Sequence, residues 1–146
     1  MNYYKEAERM LIQRNNFIRA NEYLEMRREN IIKRGTPESV KITDATREAI
    51  MSGRMDSAFT DCVELASVNK QIERNKAEIA LIDKAIAGLT EESRTIITLI
   101  YVEEKTIDEA AGYIDRTTTR TVYNWKNRAI NEFAILYFGA SAMDST

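Results

Sequence analysis

A short stretch near the C-terminus carries side chains that can read the edges of nucleic-acid bases. Residues 116–131 contain Arg116, Arg120, Lys126 and Arg128 and no acidic residue, in a chain whose formal net charge is −2. Arginine can grip O6 and N7 of guanine with two hydrogen bonds, and asparagine can pair with N6 and N7 of adenine. A local basic patch of this kind in an acidic chain indicates contact with double-stranded DNA.

Apolar periodicity predicts which side of this stretch is buried. We expect a helix that is capped by Thr117 or Thr118 and runs to about Tyr137, with Val122, Ala129 and Phe133 facing the core. The residues on the opposite side are predicted to face the bases: Thr119, Arg120, Tyr123, Asn124 and Asn127. A second set is predicted to contact the phosphate backbone, which positions a protein without specifying sequence: Arg116, Thr117, Thr118, Lys126 and Arg128. The same pattern is also compatible with a solvated helix face, and Trp125 is predicted to pack in the core or at its edge.

Two shorter helices are predicted to position this one. Thr106-Ile107-Asp108-Glu109 is a capping-box pattern that predicts a short helix ending near Ile114. Ala110 and Ala111 are small enough to let two helices cross closely. Thr90, followed by Glu91 and Glu92, predicts the start of the helix before it, since acidic residues are favoured near a helix N-terminus. A short helix, a tight turn and a longer helix make a helix-turn-helix.

Long helices precede this region. Residues 3–33 lack Gly and Pro and predict one helix, which Gly35-Thr36-Pro37 ends. Residues 57–88 predict a second helix with an apolar seam at alternating steps of three and four residues: Leu65, Val68, Ile72, Asn75, Ile79, Ile82 and Ile86. The seam can pack on the first helix as an antiparallel hairpin, or it can pair subunits in a coiled coil. Asn75 is its polar interruption, so replacing Asn75 with isoleucine is expected to raise stability.

These elements predict an all-α fold, in which two long helices forming a hairpin or coiled coil are followed by a helix-turn-helix. We expect three regions along the chain. Residues 1–88 form a helical hairpin or oligomerisation region, with a connection at 35–57 that holds at most a short helix. Residues 89–139 form the DNA-binding domain, and residues 140–146 form a flexible tail.

The composition argues against several classes of protein. Histidine is absent and Cys62 is the only cysteine, which excludes a Cys/His zinc site, a Ser-His-Asp triad and a Cys-His pair within one chain. We therefore expect no enzymatic activity, no metal and no cofactor. The N-terminus lacks the apolar core of a signal peptide, and no apolar run approaches the ~20 residues that cross a bilayer. These features predict a cytoplasmic protein that does not contact a membrane.

The segment from Leu89-Thr90-Glu91-Glu92 to Ile130 resembles region 4 of sigma-70-type factors, the domain that reads the −35 promoter element. The run from Thr121 to Ile130, continuing into Phe133-Ala134 and Tyr137-Phe138-Gly139, looks like the ArpU family. These proteins and the similar RinA-type proteins are phage-encoded regulators of late genes in Gram-positive hosts. In the usual pattern a Leu-Gly-hydrophobic-Ser turn precedes the recognition helix. Here Ile114-Asp115-Arg116-Thr117-Thr118 stands in its place, so the turn is longer or differently built.

The resemblance implies transcriptional activation: binding near a promoter and helping host RNA polymerase. The protein is expected to act as a homo-oligomer, with a dimer favoured. A phage small terminase subunit is an alternative, because such proteins also combine a helix-turn-helix with oligomerising helices. They usually carry the DNA-binding part first, which is the reverse of the order here. A second alternative is a helical interaction module that binds RNA polymerase rather than DNA.

Overall fold

The structure, a computed structural model, describes residues 2–35, 57–114 and 118–139. The regular elements in these ranges are all helices, so the predicted all-α class is confirmed. They are α1 (Tyr3–Lys33), α2 (Ser57–Ala87), α3 (Glu91–Ile97), α4 (Ile107–Tyr113) and α5 (Thr119–Phe138). A π-helical turn, Thr98–Val102, continues α3. None of these helices is both long enough and apolar enough to cross a membrane.

The chain divides into two compact units, and both contain part of α1 and of α2. Residues 18–77 form the hairpin unit, and residues 1–17 together with 78–146 form the unit that contains the helix-turn-helix. The division therefore falls near Phe17 and Ala77, away from the boundary predicted between residues 88 and 89. The physical reason is that the first turns of α1 and the last turns of α2 share the core of the helix-turn-helix.

In the hairpin unit, α1 and α2 run antiparallel. Arg34, just after the end of α1, pairs with Asp61 near the start of α2 at 3.1 Å. Arg27, further back in α1, pairs with Glu64, further along α2, at 2.9 Å, as expected for antiparallel helices. The enclosed cluster consists of Leu24 and Ile31 from α1 and Leu65, Val68 and Ile72 from α2.

A partly buried amide pair interrupts this apolar cluster at one level. Asn75 Nδ2 donates to Asn21 Oδ1 at 2.9 Å, and Asn21 Nδ2 donates to the carbonyl of Ile72 at 3.3 Å. Because the pair is bonded only when the two helices are aligned, Asn75 fixes the register of the hairpin within one chain.

The predicted seam of α2 is largely covered by its own chain. Leu65, Val68, Ile72, Ile82 and Ile86 are buried, while Asn75 and Ile79 are half-buried. Of the two interpretations, the antiparallel hairpin is the one that the structure has. Pairing subunits through the same residues would require α1 to be displaced. The homo-oligomer therefore remains a prediction, and the buried seam gives no support to it.

The core of the other unit draws on all of the helices α1 to α5 that the structure describes. Ala7 and Leu11 of α1 are fully buried in it, together with Ile82 from the end of α2. Ala85 and Ile86 of α2 and Leu89 after it also belong to this core, and the C-terminal helices supply the remainder: Ile96, Ile97, Leu99, Tyr101, Ala110, Val122, Ala129, Ile130, Phe133 and Ala134. The start of α1 is therefore an integral part of this unit.

Candidate nucleic-acid interface

Helix α4 begins with the predicted capping box. Thr106 Oγ1 accepts a hydrogen bond from the Glu109 N–H at 3.1 Å, and a Glu109 side-chain oxygen accepts from the Thr106 N–H at 3.2 Å. The bond from the Thr106 N–H, and then a hydrogen bond from the Thr106 side chain, lower the pKa of the Glu109 carboxyl. Ala110, one of the two residues predicted at the helix crossing, is fully buried. The N–H groups at the start of a helix have no acceptor within the helix. Side chains of the first turn of α4 thus supply acceptors for some of them.

Helix α5 has the boundaries and the buried face that the sequence predicts. Of the two candidate caps, Thr118 is the N-cap, and its hydroxyl accepts from the Thr121 N–H at 3.2 Å. The helix ends at Gly139, whose φ of 82° is easily adopted by glycine. The predicted core residues are fully buried: Val122, Ala129 and Phe133. Trp125 is half-buried and packs against this core, as predicted.

An acidic side chain from α5 anchors the start of α3. Glu132 accepts hydrogen bonds from the Thr90 N–H at 2.7 Å and from the Ser93 hydroxyl at 2.7 Å. Partial burial pushes the pKa of Glu132 upward, but these hydrogen bonds outweigh it and lower the pKa. Thr90 does occupy the N-cap position, although its side chain makes no capping bond to α3. The carboxylate of Glu132 satisfies this helix start instead and fixes α5 against α3.

Four of the five residues predicted to face the bases are exposed. Tyr123 is 50% exposed, and the side chains of Thr119, Arg120 and Asn124 are also open to solvent.

Arg128 is exposed as well and follows Arg120 and Asn124 in steps of four, which places the three on one face of the helix. The sequence interpretation assigned Arg128 to the phosphate backbone and did not group it with this row. Thr118 is exposed, whereas Arg116 and Thr117 lie outside the described residues.

Two predicted DNA contacts are engaged by α1 instead of being free at the surface. Lys126 Nζ lies 3.6 Å from Glu8 Oε2, and its side chain is only 14% exposed. The carboxamide oxygen of Asn127, the fifth base-facing candidate, accepts a hydrogen bond from the Tyr4 hydroxyl at 2.5 Å. The periodicity of α5 placed both residues near its open side, but α1 covers that flank.

Glu8 connects α1 to two other elements of this unit. Its Oε2 also accepts a 2.6 Å hydrogen bond from the Tyr101 hydroxyl. Burial, and then this bond to a carboxylate, raises the pKa of Tyr101 well above its ordinary range. Burial, followed by the charge of Glu8, also raises the pKa of Tyr4. Both phenols therefore stay protonated near neutral pH and act as hydrogen-bond donors.

Sequence reasoning missed Tyr4 and Glu8 as contributors to this surface. Their only signal was the apolar stripe of α1, in which Ala7 and Leu11 recur at a helical step and Asn15 interrupts it. A polar residue on a buried face points to a specific hydrogen-bonding partner, but it does not say which partner.

Comparison with known proteins finds a similarity in the C-terminal part of the chain. Residues 79–132 match the family described as "Sigma-70, region 4". No curated protein and no solved structure matches the chain. The matched segment contains the end of α2, then α3, α4 and most of α5. The segment is similar to sigma-70 region 4, and domains of that family bind DNA and can contact RNA polymerase.

Proposed function

We propose that this chain is a sequence-specific DNA-binding transcriptional regulator, which acts by binding rather than by catalysis. The observation that carries the proposal is the exposed row Arg120, Asn124 and Arg128 on α5, inside the segment that matches sigma-70 region 4. The opposite face of α5 is buried and its N-terminus is capped by Thr118. A helix held in this way can enter the major groove as a rigid body.

The residues of α5 take different roles in this proposal. Arg120 and Asn124 lie in the first turns, from which a recognition helix reaches base edges, and both have the geometry for bidentate contacts. Thr119 and Tyr123 add a hydroxyl and an exposed ring on the same part of the helix. Arg128 lies one turn further on and contacts phosphate, as does the hydroxyl of Thr118 at the helix start.

Selection from a pool of random DNA duplexes tests this proposal directly. We expect the purified chain to enrich a defined sequence, and its affinity for that duplex to fall steeply as salt rises. The double variant Arg120→Ala with Asn124→Ala should lose the preference for the enriched duplex over a scrambled one. Arg74→Ala with Asn30→Ala removes the same residue types from exposed positions of the hairpin unit and is the matched control. Failure to enrich any sequence, or equal effects of the two double variants, would contradict the proposal.

We further propose that the protein activates late genes of a phage from the cytoplasm of a Gram-positive host, together with host RNA polymerase. This finer proposal is supported by the resemblance of residues 121–139 to the ArpU family and by the ability of sigma-70 region 4 domains to contact the polymerase. Transcription in vitro is the test, with a template that carries the enriched sequence upstream of a weak promoter. Added protein should increase the transcript with host polymerase. Repression, or no effect despite occupancy of the site, would contradict an activator role.

A further inference from the structure

We infer that Glu8 on α1 is a positioning residue for DNA reading, which holds Lys126 away from the phosphate backbone and against the ring of Tyr123. The inference rests on the proposed DNA-binding function and deepens it. It assigns part of the recognition surface to a helix that lies outside the segment matching sigma-70 region 4, since that segment begins at residue 79 and Glu8 precedes it.

The first observation is that Lys126 differs from its neighbouring cations. Arg120 and Arg128 are exposed, whereas the side chain of Lys126 is 14% exposed and lies 3.6 Å from the Glu8 carboxylate. An ammonium group removed from water needs a charged partner, because an unpaired buried charge is strongly destabilising. Lys126 is therefore retained by Glu8 and is not available to a phosphate.

The second observation is that Glu8 is itself fixed. The oxygen that faces Lys126 is the one that accepts the hydrogen bond from the buried Tyr101 hydroxyl at 2.6 Å. Tyr101 is 8% exposed and belongs to the core. The carboxylate is thus held from behind by a rigid group, which is what a positioning residue requires.

The third observation connects this pair to the surface that reads DNA. Lys126 Nζ lies 5.0 Å from the centre of the Tyr123 ring, within the range of a cation–π interaction. Tyr123 is half exposed and is among the residues proposed to face the bases. Glu8 therefore acts on the ring of Tyr123 through Lys126, and a free Lys126 would no longer hold that ring in place.

A second contact between the same helices supports this arrangement. The hydroxyl of Tyr4, one turn before Glu8, donates to the carboxamide oxygen of Asn127, which follows Lys126. Tyr4 and Glu8, which lie four positions apart on one face of α1, thus hold two adjacent residues of α5. The hydrogen bond of Tyr4 and the ion pair of Glu8 together fix the register between α1 and α5.

The first test compares Glu8→Gln with Glu6→Gln. Glu6 is the matched control because it lies on the same helix and pairs with the exposed Arg9. The probes are the enriched duplex and a scrambled duplex of equal composition. We expect Glu8→Gln to lower the preference for the enriched duplex over the scrambled one by about 2- to 5-fold, the worth of an exposed cation–π contact, while affinity for the scrambled duplex does not fall because Lys126 is released towards the phosphates. Glu8→Asp should recover part of the loss.

An equal loss on both duplexes would overturn the inference, since it would indicate a merely structural role for Glu8. So would an unchanged ratio of the two affinities. A coupling measurement adds a second criterion. In a Tyr123→Ala background, Glu8→Gln should cause no further loss of preference, and an additive loss would overturn the inference.

The second test measures the salt dependence of binding for variants of α5. It can overturn the inference even if Glu8→Gln folds poorly. Each phosphate contact contributes about 0.9 to the slope of log affinity against log salt. Arg128→Gln should lower the slope by about that amount. Lys126→Gln should reduce preference for the enriched duplex but leave the slope unchanged. A drop in slope for Lys126→Gln equal to that for Arg128→Gln would place Lys126 on phosphate and overturn the inference.

These outcomes separate the two proposals. If the unaltered chain enriches no duplex, the proposed function fails and the role of Glu8 fails with it. If it enriches one and loses it on removal of Arg120 and Asn124, but not on removal of Glu8, only the present inference fails.

Discussion

The side-chain amide of Asn15 on α1 donates a 2.8 Å hydrogen bond to the carbonyl of Tyr101 in the π-helical turn after α3. The same amide reaches the carbonyl of Val102 at 3.1 Å. Carbonyls at the end of a helix lack partners within it, and a buried one needs a donor from elsewhere. Asn15, which is 8% exposed, supplies that donor from a helix more than eighty residues away in the chain.

Removal of this donor should weaken the unit that contains the helix-turn-helix. We expect Asn15→Ala to lower the free energy of unfolding by about 1–3 kcal/mol, the cost of leaving buried carbonyls without a partner. Urea denaturation followed by circular dichroism measures the change. Asn30→Ala, at an exposed position of α1, is the control and should stay within about 0.5 kcal/mol of the parent. Equal effects of the two variants would show that the Asn15 bonds contribute nothing to stability.

The amide pair in the hairpin unit reverses an expectation drawn from the sequence alone. Asn75→Ile removes the donor to Asn21 Oδ1, and Asn21 is 7% exposed. We therefore expect Asn75→Ile to destabilise the protein by about 1–3 kcal/mol. The paired change Asn21→Leu with Asn75→Ile removes both polar groups and should be close to neutral or stabilising.

A double-mutant cycle of thermal or urea unfolding measures the coupling between these two residues. Stabilisation by Asn75→Ile alone would indicate that the amide pair is not formed in solution. Additive effects of the two substitutions would lead to the same conclusion.

Glu132 should make stability depend on pH in the acid range. Its folded pKa lies below the ordinary value of 4.5, because the hydrogen bonds from Thr90 and Ser93 outweigh the effect of partial burial. A carboxyl with a lowered folded pKa stabilises the fold above its unfolded pKa, and this contribution is lost as pH falls through the folded pKa. The difference in unfolding free energy between the parent and Glu132→Gln should therefore shrink as pH falls below about 4.5.

Urea unfolding at a series of pH values between about 3 and 6 would follow this difference across the relevant range. Glu92→Gln removes an exposed carboxylate from α3 and controls for the change in net charge. A difference between the parent and Glu132→Gln that stays constant across the range would mean that Glu132 does not form these bonds in solution.

The contribution of the α4 capping box to the free energy of unfolding should also be measurable. Thr106→Ala removes the acceptor for the Glu109 N–H and should lower the free energy of unfolding by about 1 kcal/mol. Thr106→Ser keeps a hydroxyl and should restore most of the loss. Thr95→Ala is the matched control, since its exposed hydroxyl bonds to a carbonyl one turn earlier in α3 and caps no helix. If Thr106→Ala proved no worse than Thr95→Ala in thermal unfolding, the capping box would not contribute.

Local rules predicted the elements of this fold well. The caps at Thr106 and Thr118 depend on residues three apart, and the length of α1 depends on the absence of Gly and Pro within it. The buried face of α5 follows from apolar periodicity, because the side chains of one helix face recur every three or four residues. Each of these features is decided within one or two helical turns.

Long-range partners could not be predicted in the same way. Tyr4 and Asn127 are 123 residues apart in sequence, and nothing in the periodicity of α5 indicates that another helix covers its flank. Periodicity shows which residues are buried but does not identify what buries them. For this reason Lys126 and Asn127 were predicted to be available to DNA, and Glu8 was not recognised as a partner of either.

The division of α1 between two compact units bears on how the protein is made. Its first seventeen residues leave the ribosome before their partners, which lie in residues 78–138. At about 5–20 residues per second, Ala7 and Leu11 remain exposed for several seconds before Phe133 exists. Residues 18–77 contain a complete hairpin core and can close during that interval. The core of the unit that contains the helix-turn-helix is therefore completed only after α5 has been synthesised, whereas every residue of the hairpin cluster precedes Ala77.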